Sequence, residues 1–539
     1  MRLNSFFADK EYRIDMYKDF YCDDRTVVQI DSGLLRGAYL NGVYYFRGIP
    51  YAEAERFCPP QPVKAWDGVR DAVTYSRVAP TVKKPDCVGN AALDSEPLFG
   101  YRFRPEGEYD CMTINVWTRD ISGSNPKKPV MVWVHGGGFA TGSSVEQLSY
   151  DGMNLCRDGD VVVVSFNHRL NILGFLDLSD FGEKYANSGN AGMEDIVEAL
   201  RWVQRNIAAF GGDPDNVTLF GQSGGGGKIM TLLQIPVAEN LFHRGIIQSG
   251  LKPDDVCDEK NRTDGRRVGS ALVKELGLTK DSIDEIRNFS FDELRDAFLR
   301  IQPRLDGEGT FTGWGPVPNG YYENSLMSGK LTEKAKRTPL IVGCTAAEHC
   351  LWTDKFVPYD RPEEEKLALL QRMYGDGTGE MLRLFREAYP EKDLMHLYHM
   401  DCLFRLATLR FLDWRAEAGG STYAYLLDYD FRFFGTMPSY HGAELPLVFN
   451  NTDTVDAYNE PDAQALGVKM SSAWAAFAHS GDPNTRLAPE WKPYSADGKY
   501  TMVFGRQCAL KNNFDRELQE AHQRWFPVAT IRDIFRSDK

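Results

Sequence analysis

The chain predicts an α/β protein, a central and mostly parallel sheet flanked on both sides by helices. Three observations carry this expectation. Short β-branched or aromatic runs recur at 130–134, 161–166, 217–220, 246–248, 340–343 and 423–427, with no charged residue inside them. Strands of that kind are buried on both faces, as parallel strands beneath helices must be. Between the second and third runs, Ile196, Leu200, Val203, Ile207 and Phe210 recur at helical spacing over 193–210, and Gly211 stands as the stop. From about 251 to 337, and again from about 360 to 418, the chain turns helical and more charged. Alternating strands and helices form a covered sheet, and the two helical stretches read as insertions that form pocket walls.

Taken in chain order, the run 130–134 leads straight into His135-Gly136-Gly137-Gly138-Phe139. Three glycines after a buried strand let backbone N–H groups approach a ligand closely, as in an oxyanion hole. Further on, the β-favouring stretch 216–220 meets Gly221-Gln222-Ser223-Gly224-Gly225, and a run that can be helical follows at 228–234. A serine in G-x-S-x-G between strand and helix sits on a tight turn that lifts its hydroxyl out of the sheet. Gly221 and Gly225 relieve the crowding there, and the Gly224 amide points to where an oxyanion would form. The extra glycines at 224, 226 and 227 predict a loose first turn after Ser223, since each costs ~0.5–1 kcal/mol inside a helix. Two other glycine-rich readings fail on spelling. A P-loop needs Gly at 222 and Ser or Thr at 229, where Gln222 and Ile229 stand, and no G-x-G-x-x-G runs through 221–230.

A hydroxyl nucleophile needs a base, and the base needs an anionic partner that holds its tautomer. In this strand–turn–helix context the order is Ser, then Asp or Glu, then His. Of nine histidines, His441 lies in a loop beyond the strand-like 421–427 and is the preferred base. His396 and His399, with Asp401 and Cys402 nearby, suggest a metal at first sight, but further ligands at zinc-like spacing are missing and a buried or solvated pair is the simpler reading. For the acid, Glu348 ends the strand-to-loop segment 339–348, while Asp354, Asp428 and Asp430 remain open on pattern alone.

The chain resembles the type-B carboxylesterase family, the branch of the α/β-hydrolases that includes cholinesterases. The resemblance runs from about Val27 to about Asn513 in separate blocks: residues 45–52, 56–62, 109–116, 167–170, 174–176, 189–192 and 210–214. It implies the α/β-hydrolase fold and a serine carboxylesterase, EC 3.1.1.-, working through an acyl-enzyme. By that likeness Ser223 is the nucleophile, Glu348 the acid and His441 the base. Gly137, Gly138 and Gly224 would supply the oxyanion amides, and Ser249 matches a family serine behind the triad, its other reading being a strand-end hydroxyl that caps backbone. The family elbow usually reads G-E-S-A-G; here Gln222 replaces the glutamate, which weakens any case for a cationic substrate. His349 stands where the family has a glycine after the acid. No metal or organic cofactor is implied, and the pH–rate profile is expected to fall on the acid side as His441 protonates. Amides, lactones or another acyl acceptor stay open as alternatives, as does a non-catalytic binding protein on the same scaffold, although such proteins usually lose the nucleophile or base.

Composition agrees with one large domain. The 539 residues are 42% hydrophobic, enough for a core spanning about 25–250 and 338–515 within a single unit over 1–539. A net charge of −14 argues against nucleic acid and anionic membranes as partners. The resemblance implies a small-molecule ester as substrate, with the chain a monomer or homodimer. The first ten residues lack the apolar core of a signal peptide, and no 18-residue apolar run exists, so a cytoplasmic location is expected. Cys111 stands where the family often has a disulfide cysteine, with Cys87 upstream; in a cytoplasm both stay thiols. Ser282-Ile283-Asp284-Glu285 and Ser290-Phe291-Asp292-Glu293 both read as capping boxes. The aromatics Phe311, Trp314, Tyr321, Trp352 and Phe356 are candidates for an apolar substrate site.

Overall fold

Each apolar run becomes a strand of one sheet. A computed structural model describes residues 19–82, 96–251, 259–322, 330–350, 357–401, 403–433 and 435–527. Its main sheet holds β1 (Ala38–Leu40), β2 (Val43–Pro50), β3 (Thr113–Thr118), β4 (Lys128–Val134), β5 (Val162–Phe166), β6 (Gly212–Gln222), β7 (Arg244–Gln248), β8 (Leu340–Thr345), β9 (Thr422–Leu427), β10 (Tyr500–Phe504) and β11 (Ala509–Asn512). Across the sheet the order is β11-β10-β9-β8-β7-β6-β4-β5-β3-β2-β1. From β5 to β10 every neighbour is parallel, and antiparallel pairs close both edges.

Strand β4 shows why the runs read as continuously apolar. Its side chains alternate between two cores. Val130, Val132 and Val134 join Ile196, Leu200 and Val203 on one face, while Met131 and Trp133 meet Trp474 and Phe477 on the other. Both faces are dry over 130–134, so a polar side chain there would find no matching environment. Full burial of such a side chain contributes about 1.5–3 kcal/mol.

The helix foreseen over 193–210 is α1 (Ala191–Asn206) followed by a 3₁₀ turn at Ile207–Phe210. Gly211, at φ 72°, is the left-handed stop. The helix after the serine, α2 (Gly224–Leu232), begins earlier than its expected start at 228 and takes in all four glycines.

In the first helical insertion, α3 (Glu259–Glu275) and α4 (Phe291–Gly307) surround a core of Val268, Leu272, Leu294, Phe298 and Ile301. Ser290 completes a capping box: Glu293 N donates to its Oγ at 3.2 Å, and its own N–H donates to Glu293 Oε2 at 2.6 Å. Ser282 does not. Its Oγ accepts from the N–H of Thr279 at 2.9 Å, and Ile283–Asn288 winds as a 3₁₀ segment. The box fails because a competing upstream amide captures the hydroxyl.

In the second insertion, α5 (Glu363–Tyr374) and α6 (Thr378–Ala388) pack against the C-terminal helix Arg516–Trp525 through Leu370, Leu384, Phe385 and Leu518. Its last helix, α7 (Phe404–Glu417), lies against β8 and β9. Among the described residues, no helix is long and apolar enough to cross a membrane. Cys111 is a buried thiol whose Sγ lies 3.3 Å from Glu108 O, and Cys87 lies outside the described residues.

Candidate active site

Ser223 occupies the single residue between β6 and α2, at φ 57° and ψ −125°. A side chain in that region costs roughly 1–3 kcal/mol, so its surroundings must enforce the turn. They do so through two backbone bonds: Ser223 N donates to Gln248 O at 2.8 Å, and Gly227 N donates to Ser223 O at 3.0 Å. The glycines are there for space. A Cβ on Gly225 would overlap the Val134 carbonyl oxygen, and one on Gly224 would overlap the Gly138 backbone. A Cβ on Gly221 would lie 2.7 Å from the Gly225 carbonyl carbon. The first turn is therefore formed from Gly224 onward, because tight packing against β4 and the loop after it offsets the backbone entropy. Gly225→Ala is expected to abolish soluble expression or to lower stability by several kcal/mol, well beyond the ordinary 0.5–3 kcal/mol. Thermal unfolding checks this, and a variant with the wild-type midpoint would refute the packing argument.

The glycine loop after β4 meets this elbow. Gly137 and Gly138 adopt φ 83° and 61°, and a Cβ on Gly136 would lie 3.5 Å from the Ser223 Cβ. The loop is tied down by Asn171, whose N–H donates to Phe139 O at 2.9 Å and whose Nδ2 donates to Ala140 O at 2.9 Å. The amides of 137, 138 and 224 thus belong to two loops in direct backbone contact. The positive end of α2 adds to the same place.

Glu348 follows β8 and is fully buried. Its Oε2 accepts a hydrogen bond from His441 Nδ1. Its Oε1 accepts from Ser249 Oγ at 2.6 Å and from Thr345 N at 2.7 Å. The His441 N–H donates to Glu348 O at 3.2 Å, which joins the two loops through backbone as well. The Phe404 ring lies 5.3 Å from the His441 ring, centroid to centroid. The Gln222 side-chain amide reaches His441 Nε2 at 3.1 Å.

Charge is sorted around this pair. Burial alone opposes ionisation of Glu348, but the His441 imidazole, the Ser249 hydroxyl and the Thr345 amide together hold its carboxyl below the ordinary range. Two neighbouring acids go the other way: burial, then the Glu348 charge, pushes Asp401 up and Glu444 up to about 7. Burial keeps His349 neutral, pushed down to about 3. Of three buried carboxyls, Glu348 is the one kept ionised.

The other sequence candidates go elsewhere. Asp428 and Asp430 both hold Lys392 Nζ at 2.8 Å, and Asp354 lies outside the described residues. His396 Nε2 lies 3.3 Å from Asp428 Oδ1, and with Asp430 the three approach a metal-like grouping, but Lys392 supplies the cation between the carboxylates. His399 Nε2 is bonded to Val357 O at 2.9 Å. Phe311 and Trp314 line a small cleft together with Phe175, Leu176 and Val317, and Ser223, Glu348 and His441 are not part of its lining. Tyr321 packs on the main core instead, and Trp352 and Phe356 lie outside the described residues. Sequence reading missed three neighbours of the site: Phe404, Glu444 and Lys228. Of these only Lys228 left a signal, a lone charge in an otherwise uncharged helix.

An elbow serine, an acid-held histidine and a double-glycine loop on a parallel sheet define the α/β-hydrolase class. The carboxylesterase family profile matches residues 24–523, and the chain belongs to that family. It is similar to a para-nitrobenzyl esterase of Bacillus subtilis (strain 168), 32% identical and covering 93% of this chain and 98% of that one. It is also 32% identical to a phenmedipham hydrolase of Pseudarthrobacter oxydans, over 90% and 96% of the two chains. A solved esterase from anaerobic Clostridium hathewayi that can hydrolyse aliphatic aromatic polyesters superposes with a TM-score of 0.87 at 39% identity, covering 94% and 99%. The protein is a carboxylic ester hydrolase.

Proposed function

We propose that Ser223, His441 and Glu348 perform this hydrolysis as nucleophile, base and acid. The observation that carries the assignment is the His441 Nδ1–Glu348 contact, with both Glu348 oxygens engaged by donors. With Nδ1–H given to a carboxylate, Nε2 keeps the lone pair that a base needs. The Ser223 Oγ attacks the ester carbonyl carbon as His441 takes its proton. The Gly137, Gly138 and Gly224 amides bind the oxyanion, His441 protonates the departing alcohol, and water, activated by the same imidazole, frees the acid. Ser249 acts through Glu348, which it holds by one hydrogen bond. Labelling with a fluorophosphonate and peptide mapping tests the nucleophile: the label should fall on Ser223 and nowhere else.

The substrates we infer are small apolar esters, including aryl esters. The relatives named for para-nitrobenzyl esters and for aliphatic aromatic polyesters support this. The competing reading is cleavage of the corresponding amides. A nitrophenyl ester series set against matched anilides separates the two.

Gln222 tunes the base. Its amide addresses the same Nε2 that the Ser223 hydroxyl must reach. Gln222→Glu would set a carboxylate beside the imidazole and stabilise its protonated form. The acid limb of the kcat/KM profile should then move to higher pH, so activity at pH 6 falls relative to pH 8. An unmoved limb would refute this role.

A further inference from the structure

Lys228 is the one charged residue of α2, yet it is fully buried and faces inward. Its Nζ donates to the carbonyl oxygen of His135 at 2.9 Å. That carbonyl opens the glycine loop that packs against the Ser223 elbow. Burying an ammonium is expensive, and an apolar side chain would fill the same space without that cost. The groups facing it are few. Glu146 is the one anion acting on it, and burial pushes Glu146 up and Lys228 down, each to about 7. His135 and His168, ring-stacked at 5.1 Å, are held neutral by burial and by this ammonium. No step of the hydrolysis described above uses the lysine.

We propose that Lys228 is a positioning residue for the oxyanion loop, a buried clamp on the His135 carbonyl that aims the following amides and adds positive potential beneath them. The His135 C=O and the Gly136 N–H are opposite ends of one rigid peptide plane. Holding the oxygen inward therefore turns that N–H, and the start of the Gly137–Gly138 turn, outward toward Ser223. The ammonium is bonded at the first carbonyl of that loop, so a developing oxyanion held by the loop is stabilised by it more than the neutral ester is. This rests on the assignment of Ser223 and its amides made above.

The test uses the full-length enzyme, Lys228→Met and Lys228→Gln, with active sites counted by the fluorophosphonate burst. Per labelled site, Lys228→Met should lose about 10- to 100-fold in kcat, below the 10²–10³ of deleting a donor outright. KM for a nitrophenyl ester should change less than threefold, and affinity for a trifluoromethyl ketone should fall in step with kcat/KM. Lys228→Gln, which keeps a donor and loses the charge, should recover part of the rate. Wild-type kcat is expected to decline as Lys228 loses its proton with rising pH, and that decline should be absent in both variants. Wild-type kcat per labelled site in Lys228→Met, or a lost kcat with intact ketone affinity, would overturn the proposal. So would failure of both variants to fold, which would make the lysine a stability element only. A wild-type enzyme that leaves Ser223 unlabelled would instead sink the nucleophile assignment.

Discussion

Ser223→Ala is expected to remove ester turnover almost completely, by about 10⁶-fold in kcat, the scale seen when a triad serine is deleted. No other hydroxyl shares the elbow position, and the amides of 137, 138 and 224 can still bind substrate without a nucleophile to use them. The loss should therefore fall on kcat, with KM changed only a few-fold. Fluorophosphonate labelling should disappear together with turnover. Stability should barely move, because alanine keeps the Cβ that makes φ 57° unfavourable. Ser223→Gly gives the complementary result. It should be equally inactive yet more stable by about 1 kcal/mol, since glycine adopts that conformation freely. Nitrophenyl ester assays with thermal unfolding of both variants decide the matter. Turnover within tenfold of wild type in Ser223→Ala would end the assignment.

Much of this site could be read from the chain because its parts are local. Gly221, Ser223, Gly224 and Gly225 must lie together to build the elbow, and 135–138 must follow a strand, so spacing along the sequence carries the signal. The strands were readable for a similar reason, since β4 is apolar on both faces. Ser249 was harder, because a strand-end serine can equally cap backbone. What decides it is that β7 and β8 are neighbours, bringing Oγ to Glu348. Phe404 gave no sign at all, since it reaches His441 only through the packing of α7 on the sheet. The Ser282 box misled because Thr279 competes for the same hydroxyl, a choice that pattern cannot weigh. Lys228 was visible as an oddity, but its use depends on which carbonyl lies opposite.

Glu348→Gln should cost about 10⁴-fold in kcat through the tautomer of one imidazole, the scale known for the equivalent change in a serine triad. The carboxylate accepts from Ser249, Thr345 and His441, and it has no proton to give. Glutamine can satisfy Ser249 and Thr345 with its amide oxygen, but its NH₂ group must then face His441 Nδ1. A donor there forces the imidazole proton onto Nε2, and the lone pair that should receive the serine proton is gone. Glu348→Asp keeps the charge and should recover part of the rate. The pH dependence of stability gives a second readout. Glu444, pushed up to about 7 by burial and by the Glu348 charge, binds a proton in the native state that the unfolded chain releases earlier. Stability therefore declines as pH rises from the ordinary glutamate range through 7. Removing the Glu348 charge should bring Glu444 down and flatten that decline. Melting curves at pH 5 and pH 8 should converge in Glu348→Gln relative to wild type. A Gln variant with near wild-type kcat would mean that another acid serves His441.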